Sequence, residues 1–232
     1  MVRMVEQIKN QNTPVVLFDI DWTLLNGINN THRESFKHVF KNCFDLKSAD
    51  VFDINPHGLT DTEIIFKVAE KNCVSNSVIE EKMIEAQHVM SRFYSEHAGE
   101  ENPILLPGVK HLLNCLRDNE FNIGILSGNL SDIGKLKLGS ANILGYFDIY
   151  CFPDTTGNKT ESISVLRNQG LQNEIVIVGD TPNEIISSQA TNSRSIAVAT
   201  GSYSYEDLSS LKPDVVVETL EDSSVLDFLL NL

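Results

Sequence analysis

The sequence predicts an α/β fold, a parallel sheet with helices on its faces and an all-helical block inserted after the first strand. Three observations carry this reading. Short apolar runs at Val15 to Phe18, Ile123 to Leu126, Ile175 to Val178 and Ile196 to Val198 lack the alternation of a half-solvated strand, and each ends on polar or small residues. Helical periods lie between them, such as Val109, Leu112, Leu113 and Leu116 after the turn signal Pro107-Gly108. From about Asn26 to Pro103, by contrast, there is no convincing long strand, and amphipathic patterns follow one another.

The first strand runs directly into Asp19-Ile20-Asp21. Two helices of the inserted block are expected to begin at capping boxes, Thr31 with Glu34 and Thr60 with Glu63. Their apolar stripes are Phe36, Val39, Phe40 and Cys43 for the first, and Ile64, Ile65, Val68 and Ala69 for the second. A third helix is expected from Ser77 to Tyr94, with Ile79, Met83, Ala86, Met90 and Phe93 at helical spacing. Lys47 to Pro56 shows no period and reads as a loop. A crossover between parallel strands needs only about a dozen residues, so the block is expected to form a small domain over the sheet edge, with joints near Leu25 to Asn29 and Asn102 to Pro107. The expected division is residues 1–25 and 104–232 for the α/β core and 26–103 for the helical cap. Ile149 to Phe152 and Val215 to Val217 read as further strands, and Val225, Leu226, Leu229 and Leu230 as the stripe of a closing helix.

Lys and Arg number 18 against 32 Asp and Glu, a net charge of −14. The basic residues are scattered rather than striped, which argues against nucleic acid and anionic membranes as partners. No stretch reaches the roughly 18 apolar residues of a membrane span, and the first residues lack the apolar core of a signal peptide. A cytoplasmic location is the expectation. Cys43, Cys73, Cys115 and Cys151 have no paired spacing and read as reduced, buried thiols. Without an exposed heptad run, a monomer or weak dimer is expected.

In open α/β sheets the ligand crevice lies at the carboxyl ends of the strands, so the polar residues after each run should converge. Asp19 and Asp21 are two apart at such an end, and the strand period would aim both the same way. Buried carboxylates require a cation, hydrogen bonds or a chemical purpose; a solvated turn is the alternative. Asp180 and Glu184, in GDTPNEI, follow another strand, and the four acids together form a hard oxygen set suited to magnesium. Glu184 also fits a capping box with Thr181 at the N-cap and Pro182 at the first helical position. Ser127-Gly128-Asn129 offers a hydroxyl and backbone N–H groups to a phosphate oxygen, or simply a helix cap. Lys135, Lys137 and Lys159 are candidates to balance the acids; the first two cannot share a helix face, and Lys159, in TTGNKTES, is placed to project over the crevice. The six histidines show no metal-ligand spacing and read as surface or packing residues. With no GxSxG context and no cysteine beside a base, the best nucleophile is a carboxylate.

The ordered segments FDIDWTLL, SGNLSDIGKLKLGSANILGYFD, NKTES, VIVGDTPNEI and VATGSYSYEDL resemble the haloacid dehalogenase-like (HAD) superfamily, in its phosphoglycolate-phosphatase-like branch with a helical cap. The resemblance implies a Rossmann-like three-layer parallel-sheet HAD core with an inserted all-helical cap domain. It implies Asp19 as the nucleophile that forms an aspartyl phosphate and Asp21 as the acid and base. Ser127, the Gly128 N–H and Lys159 would bind the phosphoryl group. Mg2+ would be held by Asp19, the Asp21 carbonyl and Asp180, with Glu184 close by. The implied activity is hydrolysis of a small anionic phosphate ester; a sugar phosphomutase with the same intermediate and a non-catalytic binding protein are the alternatives. Asp21 speaks against dehalogenation, because a departing halide needs no proton. Two residues depart from the family pattern, Trp22 in place of glycine and Glu184 where aspartate is common. Within the cap, Arg33, Lys37 and Lys41 share a helix face that is either solvated or turned to an anionic substrate, and Gly58, Thr60 and Asp61 match a recurring cap pattern at a helix start.

Overall fold

The computed structural model describes residues 8, 13–27, 30–100 and 103–232. Among them six parallel strands form one sheet in the order β3-β2-β1-β4-β5-β6. These are β1 (Val15–Phe18), β2 (Asn122–Leu126), β3 (Ile149–Cys151), β4 (Ile175–Gly179), β5 (Arg194–Val198) and β6 (Val215–Val217). Three helices, α1 (Asn30–Phe44), α2 (Asp61–Lys71) and α3 (Asn76–His97), are inserted after β1. The others are α4 (Val109–Asp118), α5 (Ser131–Ser140), α6 (Pro153–Thr156), α7 (Lys159–Asn168), α8 (Pro182–Ala190), α9 (Tyr205–Ser210) and α10 (Ser223–Leu230). The architecture is the parallel α/β core with inserted helices that the sequence predicts.

The strands read as unbroken apolar runs because both faces of the sheet are covered. Val16, Phe18, Ile123, Ile125, Val176 and Val178 pack with Leu112, Leu113 and Leu116 of α4 and with Val225 and Leu229 of α10. The alternate residues Val15, Leu17, Leu126, Ile175 and Ile177 pack against Ile163 and Leu166 of α7. β1 lies between β2 and β4, with Phe18 opposite both Ile125 and Val178, so the three strands end nearly level. The chain order also changes direction at β1, which makes the ends of these strands the switch point where a crevice opens.

The inserted helices have their own apolar cluster, built on Phe36, Val39, Phe40, Ile65, Val68, Ala86 and Met90. Leu130 and Ile133 at the start of α5 belong to the same cluster, which ties the block to the core. The capping box of Thr60 and Glu63 starts α2. The one at Thr31 does not form, because α1 is already helical at Asn30 and the Glu34 carboxylate pairs with Lys37 at 2.6 Å. α3 outruns its expected limits, and its stripe ends on buried Tyr94 rather than Phe93, whose ring stacks between His38 and His97. The loop from Lys47 to Pro56 contains one 3-10 turn, Val51–Asp53, capped by Asp50. In the joints, Asn26 N donates to Ile104 O at 2.9 Å and Leu106 N to Leu24 O at 3.0 Å; Asn29 and Asn102, which the expected joints include, lie outside the described residues. Cys43 and Cys151 are buried, but Cys73 is exposed and Cys115 half-buried, so the expectation of four buried thiols is corrected. No described helix is long and apolar enough to cross a membrane.

Gly108, the N-cap of α4, has φ 83°, and a Cβ there would sit 2.2 Å from the Leu220 carbonyl carbon. Gly108→Ala should therefore cost on the order of 2 kcal/mol or more. Gly145→Ala, where a Cβ meets nothing within 4 Å, should stay within about 0.5 kcal/mol. Urea unfolding midpoints of the two variants check this contrast.

Candidate active site

β1 ends at Phe18, and the chain continues its pairing for one more residue, with Asp19 N donating to Val178 O at 2.9 Å, before it turns. Leu24 N and Leu25 N both donate to Ile20 O, closing the turn that carries Asp21. The strand alternation therefore stops at Asp19, yet both carboxylates line one cavity of about 150 Å3 at the carboxyl end of the sheet. Trp22, Gly128, Asn129, Lys159, Asp180 and Thr181 also line its core side, and His32, His57 and Asp61 are among the residues that approach from the inserted block. Ser127 and Glu184 flank the cavity rather than line it. Ser127 Oγ accepts the Asn129 N–H at 3.3 Å. α5 takes Leu130 as its N-cap, so Ser127 is not the cap of that helix.

Asp19 and Asp21 have separate partners. Lys159, the first residue of α7, is held there by the capping box of Asn158 and Glu161. Its Nζ lies 3.0 Å from Asp19 Oδ2 and donates a short bond to Glu184 Oε1. The other Asp19 oxygen accepts the Ile20 N–H at 2.8 Å. Glu184 Oε2 accepts the Thr181 N–H at 2.9 Å, so Glu184 closes the capping box of α8 while pairing with Lys159. Asp180 Oδ1 accepts Thr23 Oγ1 at 3.3 Å.

Part-buried Asp19 and buried Glu184 thus share one lysine, with buried Asp180 close enough to feel the charge of all three. Burial raises the Asp19 pKa, and Lys159 only partly opposes it. Burial, then Glu184 and Asp19, push Asp180 up to about 8. Burial works against the Lys159 ammonium, but Asp19 and Glu184 outweigh it and raise its pKa. The uncompensated negative charge and the hard oxygens of Asp19 and Asp180 suit a divalent cation such as magnesium. No three His, Cys, Asp or Glu side chains among the described residues are grouped as a metal centre, and Glu184 has both oxygens engaged by Lys159 and Thr181.

Around Asp21 lies a second cation. Lys137 of α5 is 2 % exposed, and its Nζ sits 2.6 Å from Asp21 Oδ2 and 3.2 Å from His32 Nδ1. Asn129 Nδ2 donates to the same Asp21 oxygen at 2.9 Å. Burial acts to raise the Asp21 pKa, but Lys137, His32 and Asn129 together bring it below the usual value. Lys135 points elsewhere, over the Tyr150 ring. Sequence reasoning singled out neither Lys137 over Lys135 nor His32. The available signal was position: Lys137 is one turn beyond Ile133 on the buried face of α5, and His32 one turn before Phe36 on that of α1.

The segment from Gly58 to Asp61 docks on the strand-end loops. Asp61 N donates to Gly128 O at 2.7 Å, and Leu130 N to Asp61 Oδ2 at 2.8 Å. Asn183 Nδ2 donates to Gly58 O. Arg33 is paired with Asp50 and Lys37 with Glu34, and neither they nor Lys41 lines the cavity. Trp22 has φ 60°, the left-handed region that favours glycine, which gives a physical reason for the glycine that the resemblance leads one to expect at this position. Its indole lies against Gly27, where a Cβ would come within 1.9 Å of Nε1.

Removing Lys159 would leave Asp19 and Glu184 buried without their cation. Lys159→Met should lower stability by about 3 kcal/mol near pH 8. It should cost less near pH 5, because carboxyl groups whose pKa rises on folding take up protons as the pH falls and lose their charge penalty. In the wild type the stability tied to Asp180 follows the same sign, being complete below its ordinary 3.8 and lost as the pH rises through about 8. Urea titrations across this range check both statements.

The family model for haloacid dehalogenase-like hydrolase matches residues 16–198. A pyrophosphatase PpaX from Oceanobacillus iheyensis is 26% identical over 215 residues, covering 89% of this chain and 93% of that protein. A phosphoglycolate phosphatase from Aquifex aeolicus is 28% identical over 131 residues, covering 53% and 60%. A haloacid dehalogenase-like hydrolase structure from Streptococcus pneumoniae superposes with TM-score 0.65 at 20% identity, covering 93% of this chain and 98% of that one. The matched segment includes β1 to β5 and the acids at the ends of β1 and β4, and the chain belongs to the haloacid dehalogenase-like hydrolases.

Proposed function

We propose that the chain is a magnesium-dependent phosphatase that hydrolyses a small phosphate monoester through an aspartyl phosphate on Asp19. The observation that carries this is the pairing of part-buried Asp19 with buried Lys159 at 3.0 Å in the cavity that also holds Asp21. Lys159 opposes the burial that raises the Asp19 pKa, and so favours the nucleophilic carboxylate, and it offsets the charge of an incoming phosphoryl group. The Asp19 oxygen attacks phosphorus, its bond forming as the ester bond breaks, and Asp21 delivers a proton to the departing oxygen. Asp21, now a carboxylate, takes a proton from the water that attacks the aspartyl phosphate, which frees inorganic phosphate and restores Asp19. Lys137 and His32 favour the carboxylate form of Asp21 in the resting site; the negative charge of an arriving phosphate acts in the opposite sense and favours the acid. Ser127 and the Gly128 N–H are assigned to the phosphoryl oxygens, as donors at the end of β2.

Asp19, the Asp21 carbonyl and Asp180 would hold the magnesium, with Glu184 close by. When bound, the ion neutralises charge on the phosphoryl group. We assign residues 26–103 to a cap that shuts water out. A small ester suits a cavity of about 150 Å3. The relatives' names make pyrophosphate and phosphoglycolate natural first candidates. The described cavity wall, however, holds one lysine, already engaged by two carboxylates, and no arginine. An ester with an uncharged leaving group suits that wall better than one with a second anionic group.

Release of inorganic phosphate from such an ester should require magnesium and stop with a chelator. Asp19→Asn should lower kcat at least about a thousandfold, and pyrophosphate and phosphoglycolate should be poorer substrates than a neutral-alcohol ester. Equal phosphate release by wild type and Asp19→Asn would defeat the proposal.

A further inference from the structure

The Asp21 carboxylate accepts from two side chains on a single oxygen. Lys137 Nζ reaches Oδ2 at 2.6 Å and Asn129 Nδ2 reaches it at 2.9 Å. Among the described residues Oδ1 has no protein partner, so the carboxylate is fixed in rotation with one oxygen left over in a cavity wall. Lys137 is itself buried, and a long flexible side chain in that setting needs a second anchor to keep one geometry. His32 provides it: Nδ1 lies 3.2 Å from Lys137 Nζ, while Nε2 lies 3.1 Å from Asp61 Oδ1. A lysine ammonium can only donate, so the Lys137–His32 contact is a hydrogen bond when Nδ1 is the acceptor. The other Asp61 oxygen accepts the Leu130 N–H at 2.8 Å, at the start of the helix that carries Lys137. A chain of contacts therefore runs from the core through the block and back, from Asp21 and Lys137 of the core to His32 and Asp61 of the block and on to Leu130 of the core.

We propose that Lys137 is a positioning residue that aims Asp21 at the leaving group, and that His32 sets Lys137 only while the inserted block is docked. This rests on the phosphatase reading above, with Asp21 as the group that protonates the departing oxygen. Lys137 contacts Asp21 and His32 and does not line the cavity, so it acts through Asp21. A lysine kept only for packing or charge balance would, when lost, slow all esters alike. A lysine that aims the acid matters most where the leaving oxygen most needs a proton.

The experiment is a series of substituted phenyl phosphates, alike in shape and graded in leaving-group acidity, turned over by wild type, Lys137→Met, His32→Asn and Asp21→Asn. Lys137→Met should lose about tenfold in kcat on the most acidic phenol and about a hundredfold or more on unsubstituted phenol, in parallel with Asp21→Asn. His32→Asn keeps the cation and should show the same steepening to a smaller degree, which also covers the case in which Lys137→Met does not fold. The double variant Asp21→Asn/Lys137→Met should be no slower than Asp21→Asn alone. A uniform loss across the series, or additive losses in the double variant, overturns the inference while leaving the phosphatase reading intact. A wild type inert toward every ester overturns that reading and the inference with it.

Discussion

Lys159 is the ion on which the carboxyl end of the sheet depends. It enters from the first turn of α7 and binds two carboxylates that leave different strands, Asp19 after β1 and Glu184 beyond β4. Each buried carboxylate carries a desolvation penalty of several kcal/mol, and one ammonium cannot offset three of them. Asp180 registers the shortfall as a pKa of about 8. Such a cluster is a poor choice for stability alone. It is well suited to receive a cation and a phosphate together, each of which relieves a charge the other brings.

The geometry around that lysine follows from the sheet. Because β1, β2 and β4 are parallel, adjacent and nearly level at their ends, residues far apart in sequence arrive at one cavity without a long loop. The inserted helices then close over it by hydrogen bonds rather than by apolar packing alone. Asp61 both donates to the Gly128 carbonyl and accepts from Leu130, and Gly58 accepts from Asn183. The two aspartates after β1 thereby have separate partners, Asp19 a lysine of the core alone and Asp21 a lysine that is shared with the block.

Legibility in the sequence followed physical distinctness. The sheet could be read because a short unbroken apolar run that ends on small or acidic residues fits a strand covered on both faces and little else. The cap at Thr181, Pro182 and Glu184 was readable because three position-specific preferences coincide there. The pattern at Thr31 and Glu34 has one preference fewer, and the helix starts earlier. Lys137 and His32 were hidden for a different reason: a lone polar residue at helical spacing looks the same whether it faces solvent at a helix edge or a carboxylate across the seam between core and inserted block. Only tertiary structure shows that the two meet. Trp22 reads as an oddity in sequence, while its backbone conformation shows what constraint the usual glycine answers.

The most direct test of this account is to stop the reaction by rapid quench during turnover of a phosphate ester, reduce with borohydride and map the peptides by mass spectrometry. The account predicts that the side chain of residue 19 alone is converted to that of homoserine, the reduction product of an aspartyl phosphate. Unmodified Asp19 throughout steady turnover, or reduction at another carboxylate, would contradict it.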